Sequence, residues 1–268
     1  MAVLAAVGQI CATGSLKANL DQCILFLPEA SDYIAPNAQT SLELAVPQAT
    51  SPFVLGLRAA AKQHAIAVHV GIHHPIEAAP GAPIRKLLNR ALYINADGAI
   101  VDAATYDKLH VFDYGSLKES NTVQPGPTLT APFDSPPGKS SRWFNRPAQI
   151  LTYPSAFTIR TGEAHWETLL RARAIETESW VVAAAQVGQH NEKRASYGRS
   201  IVVDPWGTVR LRLKGVVDAS GEAEEGAVGE IGFVEMDMDM TSRVREGMPL
   251  QRRTDVYPEL PGRPDGTG

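Results

Sequence analysis

Residues 151–186 read LTYPSAFTIRTGEAHWETLLRARAIETESWVVAAAQ. Leu151 to Tyr153 is apolar and reads as the end of a buried strand. Gly162 to Ser179 carries apolar residues at helical spacing, with Trp166, Leu169, Leu170 and Ala174 on one face. Trp180 to Gln186 reads as the strand that follows. A strand, a helix and a strand in succession make a crossover unit, and such units place the chain in the α/β class.

The flanking sequence extends this plan. Ala2 to Ile10 reads as a buried strand, and Ile24 to Leu27 as a second apolar run closed by Pro28. Residues 52–64 have a helical pattern with Pro52 at a first-turn position, leading into a strand from Ile66 to Ile72. Arg90 to Ile94 and Ala99 to Tyr106 flank Asn95-Ala96-Asp97-Gly98, a hairpin signal. A second hairpin is expected from Ser200–Asp204 and Val209–Leu213 around Pro205-Trp206-Gly207, and a late strand from Ile231 to Met236. Residues 221–226 and 258–268 read as mobile loop and tail. Crossovers mixed with hairpins imply a mixed sheet, or two sheets covered by helices.

The 268 residues are 44% hydrophobic, enough for one sizeable α/β domain, or at most two small ones. A net charge of -4 gives no basic footprint for a nucleic acid or a membrane surface. The longest apolar runs are far too short to span a bilayer. No basic residue precedes the apolar start, so it reads as a strand and not as a signal peptide, and the cytosol is the default compartment, with mitochondria not excluded. Two cysteines, Cys11 and Cys23, make no disulfide framework. In their local contexts both read as small apolar side chains near the sheet.

Three ionisable residues are candidates for chemistry. Glu29, directly after an apolar run, is placed for partial desolvation and use as a general base; taken alone it also fits a turn carboxylate beside Pro28. Lys108 follows the first hairpin, where an ammonium could hold a developing oxyanion; taken alone it also fits a solvated surface lysine. Glu119 has no local signal. His69, His73 and His74 cluster on a strand, with His69 and His73 on one face and His74 on the other. A zinc site would need a further ligand, so structural or solvent-facing roles are expected. Neither a phosphate-binding glycine loop nor a G-x-S-x-G elbow occurs.

Together the segments FLPEASDYI (26–34), YDKLHVFD (106–113), ESNTVQPGP (119–127), PSAFT (154–158), GEAHWE (162–167), RARA (171–174), YGRSIVVDPWG (197–207) and REGMPLQRRTDVY (245–257) closely resemble the nitrilase superfamily of carbon–nitrogen hydrolases. The resemblance is to the deaminated glutathione amidase, or nitrilase homologue 1, branch, and spans nearly the whole chain. It implies one domain over 1–257, a four-layer αββα sandwich, homodimers or larger homo-oligomers, and a small amide as substrate, without metal or organic cofactor. It also implies roles: Glu29 the general base, Lys108 the oxyanion-stabilising lysine, Glu119 the supporting glutamate. A cysteine would complete the set by forming a thioester intermediate. Arg245, Arg252 and Arg253 match a late-packing segment, where structural or interface roles are expected.

One departure matters. The nucleophilic cysteine belongs in a strand-end motif ahead of PSAF, yet residues 131–158 contain no cysteine. Roughly a strand and a helix are absent there, on the order of 20–25 residues by typical element lengths. Ser140 and Ser141 lack the context of a replacement nucleophile. The stretch from Cys11 to Cys23 is also short for a helical crossover, which needs about 10–12 residues at the least. Two such losses would uncover sheet surface. They imply an inactive chain: a non-catalytic binding or pairing homologue, or an incomplete gene model or splice form of an amidase. Deaminated glutathione is the expected substrate class, with ω-amides of α-keto acids as the runner-up.

Overall fold

The computed structural model of the protein describes residues 2–15, 19, 27–76, 86–115, 117–135, 138–141 and 148–250. The expected run at 24–26, Cys23, Arg252, Arg253 and the tail lie outside them. Strand β1 (Ala2–Gly8) pairs antiparallel with the last strand, β15 (Ile231–Asp237). Helices α1 (Ala38–Leu44) and α2 (Pro52–His64) follow β1. Strands β2 (Val68–Ile76), β3 (Lys86–Ile94) and β4 (Tyr106–Asp107) form an antiparallel set in that order. Strands β5 (Asp113–Tyr114) and β6 (Leu117–Lys118) make a small ribbon.

The second sheet has the order β14-β13-β10-β9-β8-β7. Its strands are β7 (Phe133–Ser135), β8 (Gly138–Ser141), β9 (Ile150–Thr152), β10 (Trp180–Ala183), β13 (Ile201–Val203) and β14 (Val209–Arg212). Helix α3 (Ile159–Thr177) connects the parallel pair β9 and β10. A ribbon of β11 (Val187–Asn191) and β12 (Arg194–Tyr197) projects beyond β10. Helix α4 (Met238–Gly247) closes the described chain.

Side-chain alternation along β10 builds the layers. Trp180, Val182 and Ala184 join Ala5 and Val7 of β1 and Val234 and Met236 of β15 in one core between the sheets. The intervening Val181, Ala183 and Ala185 join Trp166, Leu170 and Ala174 of α3 in a second core on the far side. A strand buried on both faces reads as one unbroken apolar run, which is why WVVAAA shows no polar alternation. A third core lies outside the first sheet: Phe53, Val54, Leu57 and Ala61 of α2 cover Val68, Val70 and Ile72 of β2 and Leu92 and Ile94 of β3. Three cores between four layers give the αββα sandwich.

The helix ends follow local chemistry. The Ser51 side chain accepts a hydrogen bond from the Val54 N–H, and Pro52 occupies the first turn of α2. Thr158 caps α3 in the same way.

Some details depart from the sequence reading. Leu169 is 44% exposed, because the buried stripe of α3 runs through Gly162, Trp166, Leu170 and Ala174 and leaves Leu169 at its rim. Gly162 lies against the Tyr197 ring, where a Cβ would clash. The expected strand 99–106 is reduced to a bridge at Ile100, a 3-10 turn at 102–104 and the two-residue β4. The long partner of β3 is β2, in register from Val68↔Ile94 to Ile76↔Lys86. Residues 221–226 are anchored: Ala223 bridges Val216, Glu224 pairs with Arg199 at 2.6 Å, and the Glu225 carbonyl accepts from Lys214. Among the described residues no helix is long and apolar enough to cross a membrane.

Candidate active site

Glu29 follows Leu27 and Pro28 on a segment running beside β2, with Leu27 N–H donating to His69 O and Ser31 N–H to Gly71 O. The approach is very close. A Cβ on Gly71 would fall 2.7 Å from Glu29 Cα and 3.1 Å from Pro28 O, so only glycine admits the segment here. Gln186, at the end of the β10 run, donates from Nε2 to the carbonyls of Glu29 (2.9 Å) and Ala30 (3.3 Å), while its Oε1 accepts from the Ala12 N–H. Ala156, beyond β9, donates its N–H to Glu29 Oε2 at 3.1 Å. The Glu29 carboxylate thus sits where the strand ends of the two sheets meet.

Lys108 arrives from β4. Its N–H donates to Asn89 O at 2.8 Å. The preceding Asp107 is held by both Arg90 Nε (2.7 Å) and Arg90 Nη2 (2.9 Å). Glu119 begins a 3-10 turn that is docked on the start of β3 through Leu87–Thr122 and Gln124–Leu87 backbone bonds.

These three residues converge. Lys108 Nζ lies 3.2 Å from Glu29 Oε1 and 2.9 Å from Glu119 Oε2. Asn89 Nδ2 donates to Glu29 Oε1 and, at 3.1 Å, to Glu119 Oε1. The Phe112 N–H gives Glu119 Oε2 a further donor at 2.6 Å. Burial works against the lysine charge, but the two adjacent carboxylates outweigh it and raise its pKa. Lys108 therefore stays an ammonium at neutral pH, able to face developing negative charge.

The sequence reading did not single out Asn89, Gln186, the Ala156 N–H or Arg194. Asn89 and Gln186 had a legible signal, since each is an amide interrupting or ending an apolar strand. Arg194 opens β12, where burial lowers its pKa against the opposing pull of Glu29 and Glu119.

The remaining candidates have structural partners. His73 pairs through Nδ1 with Asp32 Oδ1 at 3.0 Å and stacks on Tyr33 at 4.3 Å between ring centroids. His74, on the other face, receives the Gln48 N–H, and burial with Arg90 nearby lowers its pKa to about 4. His69 is buried. Arg245 ties the Ala148 carbonyl to Ser179 Oγ, a structural role. Cys11 Sγ contacts Gln189 O at 3.3 Å, and burial pushes its thiol up to about 11. A thiol of that pKa is protonated at neutral pH and a poor nucleophile. Ser140 pairs in register with Ile150 in the β8–β9 ladder. Among the described residues no group of three or more His, Cys, Asp or Glu could hold a metal ion.

Comparison with known proteins agrees with this architecture. Residues 12–246 match the carbon-nitrogen hydrolase family. The "Probable hydrolase nit2" of Schizosaccharomyces pombe is 38% identical over an alignment covering 96% of this chain and 99% of the relative. That alignment extends over 290 residues, more than the 268 present here. The human "Deaminated glutathione amidase" is 38% identical over 91% of this chain and 76% of its own length. The NitFhit protein of C. elegans superposes with a TM-score of 0.82 at 35% identity, covering 96% of this chain and 66% of the worm chain. The protein is a member of the carbon–nitrogen hydrolase family.

Proposed function

We propose that this site is built to bind and polarise a small carboxylate-bearing amide of the deaminated glutathione type, with Glu29 as general base, Lys108 as oxyanion stabiliser and Glu119 as the group that holds Lys108. The observation that carries the proposal is the convergence of two carboxylates and one ammonium within 3.2 Å. In a complete site a cysteine thiol gives its proton to Glu29 and attacks the amide carbonyl. Lys108 balances the oxyanion, Glu29 returns the proton to the departing ammonia, and water cleaves the thioester. The relative named as a deaminated glutathione amidase supports the choice of substrate.

The 268-residue chain carries the polarising half of this machinery without the sulfur. Its cysteines are Cys11 and Cys23 alone, and burial raises the Cys11 thiol to about 11, which makes Cys11 a poor nucleophile. An alignment longer than the chain supports internal loss, because the relative has positions with no counterpart here.

The test is ammonia release from deaminated glutathione. The chain itself should release none. The same chain with a Cys-Tyr-Asp-bearing segment restored between residues 139 and 148 should turn over. Turnover by the unaltered chain that survives thiol alkylation would place the nucleophile elsewhere. No turnover after restoration, in a variant that still folds, would overturn the amidase reading.

A further inference from the structure

We propose that Asp32 and His73 form a positioning pair for Glu29: together they lock the bend that pushes its carboxylate toward Lys108 and Asn89. The inference rests on the reading of Glu29 as general base and adds what holds that base in place.

The bend itself comes first. Residues 27–31 run along the edge of β2. Leu27 donates its N–H to His69 O at 2.9 Å, Gly71 donates to Pro28 O at 3.1 Å, and Ser31 donates to Gly71 O at 2.8 Å. Gly71 thus bonds to the residues on either side of Glu29 and Ala30, and those two are looped out of the ladder as a bulge. Ala30 is left-handed there, with φ 54°, a conformation that an alanine keeps only when its surroundings enforce it. The Ser31 hydroxyl donates back to Pro28 O at 2.8 Å and closes the near side of the loop.

Asp32 supplies the far anchor. Its Oδ2 accepts the His73 N–H at 2.8 Å, so a side chain takes the β2 donor that a strand carbonyl would otherwise take. Its Oδ1 accepts from His73 Nδ1 at 3.0 Å and from the Tyr33 N–H at 3.0 Å. A carboxylate only accepts, so His73 carries a proton on Nδ1. Asn19 Nδ2 donates to the Asp32 carbonyl at 2.6 Å, and the His73 ring rests on Tyr33. Asp32 is buried, and both its oxygens are spent on β2 and on its own turn.

Register brings the pair to the site. His73 projects from the same face of β2 as the Gly71 position, the face that meets the Glu29 backbone. Across the strand pair it lies opposite Asn89, and opposite residues project to one face. Asn89 Nδ2 donates to Glu29 and Glu119, and the Lys108 N–H donates to Asn89 O. His73, Asn89 and Lys108 therefore form one row across the sheet. A bend that slipped at Asp32 would carry Glu29 away from partners fixed to the other two strands.

The test reads the site in the full chain, through the side-chain ε-methylene NMR signal of Lys108. Lys108→Met assigns that signal, and its displacement in Glu29→Gln gives the scale. His73→Phe keeps a ring on Tyr33 and the backbone N–H but removes the Nδ1 donor. His73→Asn returns a donor near the same place and removes the stack. The Lys108 signal should move toward its Glu29→Gln position in His73→Phe and stay near its original place in His73→Asn. Asp32→Asn should displace it in the same direction as His73→Phe. A purely structural role predicts the reverse order, with His73→Asn the more harmful change, and that order overturns the inference. An unmoved signal in folded His73→Phe also overturns it, and so does failure of all three variants to fold, because the pair then holds the fold and not the base. These outcomes spare the proposed site. A Lys108 signal that ignores Glu29→Gln overturns both.

Discussion

Lys108 and Asn89 are joined through the backbone, N–H to carbonyl at 2.8 Å, and their side chains reach the same two carboxylates. The lysine supplies charge and the amide supplies geometry. Asn89→Ala should therefore lower stability by about 1–3 kcal/mol, because it leaves carboxylate oxygens short of a donor in a half-buried place. Urea unfolding checks this. An unchanged midpoint would mean that water replaces the amide without cost.

The raised pKa of Lys108 has a definite consequence for pH. The unfolded lysine titrates near 10.5 and the folded one above it. The stabilisation is complete below the unfolded value and is lost as pH climbs through the folded one. The stability gap between the unaltered chain and Lys108→Met should be constant from about pH 6 to 9 and shrink above pH 10.5. A gap that already closes by pH 8 would show that the ammonium is not held by the two carboxylates.

His190 gives the opposite dependence. Burial, opposed by the hydrogen bond to Ala12 and aided by Arg194, lowers its pKa from 6.5 to about 4. Between those values the unfolded chain takes up a proton that the folded chain refuses, so stability falls as pH drops. The loss is about 3 kcal/mol between neutral pH and pH 4 for a histidine this buried. His74 carries a similar shift. His190→Gln should thus remove part of the acid sensitivity, measured by denaturant melts at pH 7 and pH 4.5, and His190→Gln with His74→Gln should remove more.

Gly71 sets the position of Glu29 against β2. Gly71→Ala should destabilise by about 1–3 kcal/mol through overpacking of backbone on backbone. It should also shift the Glu29 and Lys108 side-chain resonances in NMR spectra. Loss of stability without change at those residues would show that the strain is relieved elsewhere.

The outer face of the β1–β15 pair is apolar and open, with Leu4 68% and Phe233 61% exposed. Phe233→Lys should leave folding stability within about 0.5 kcal/mol, as for an ordinary surface change. It should raise the concentration at which the chain stays monodisperse in light scattering.

Much of the fold is legible one element at a time. Helix α2 spans the 52–64 pattern, and the hairpin around Pro205-Trp206-Gly207 forms as its turn signal requires. These features depend on neighbours within a few residues. The strand expected from Ala99 to Tyr106 shrinks because β3 finds its long partner in β2 instead, and no local signal ranks one partner over another. Leu169 is similar: helical period assigns it to a face, but only the packing of α3 on β10 decides where that face ends.

For the site, sequence by itself determined which groups are present: Glu29, Lys108 and Glu119 in recognisable segments, and no cysteine between 131 and 158. Tertiary structure alone decided that a carboxylate beside β2, an ammonium after β4 and a carboxylate in a 3-10 turn share one point in space, with Asn89, Gln186 and Ala156 around them. The reason is physical. Residue chemistry is a local property of the chain. The field that fixes the charge of Lys108 is a sum over distances that only the packing of two sheets sets.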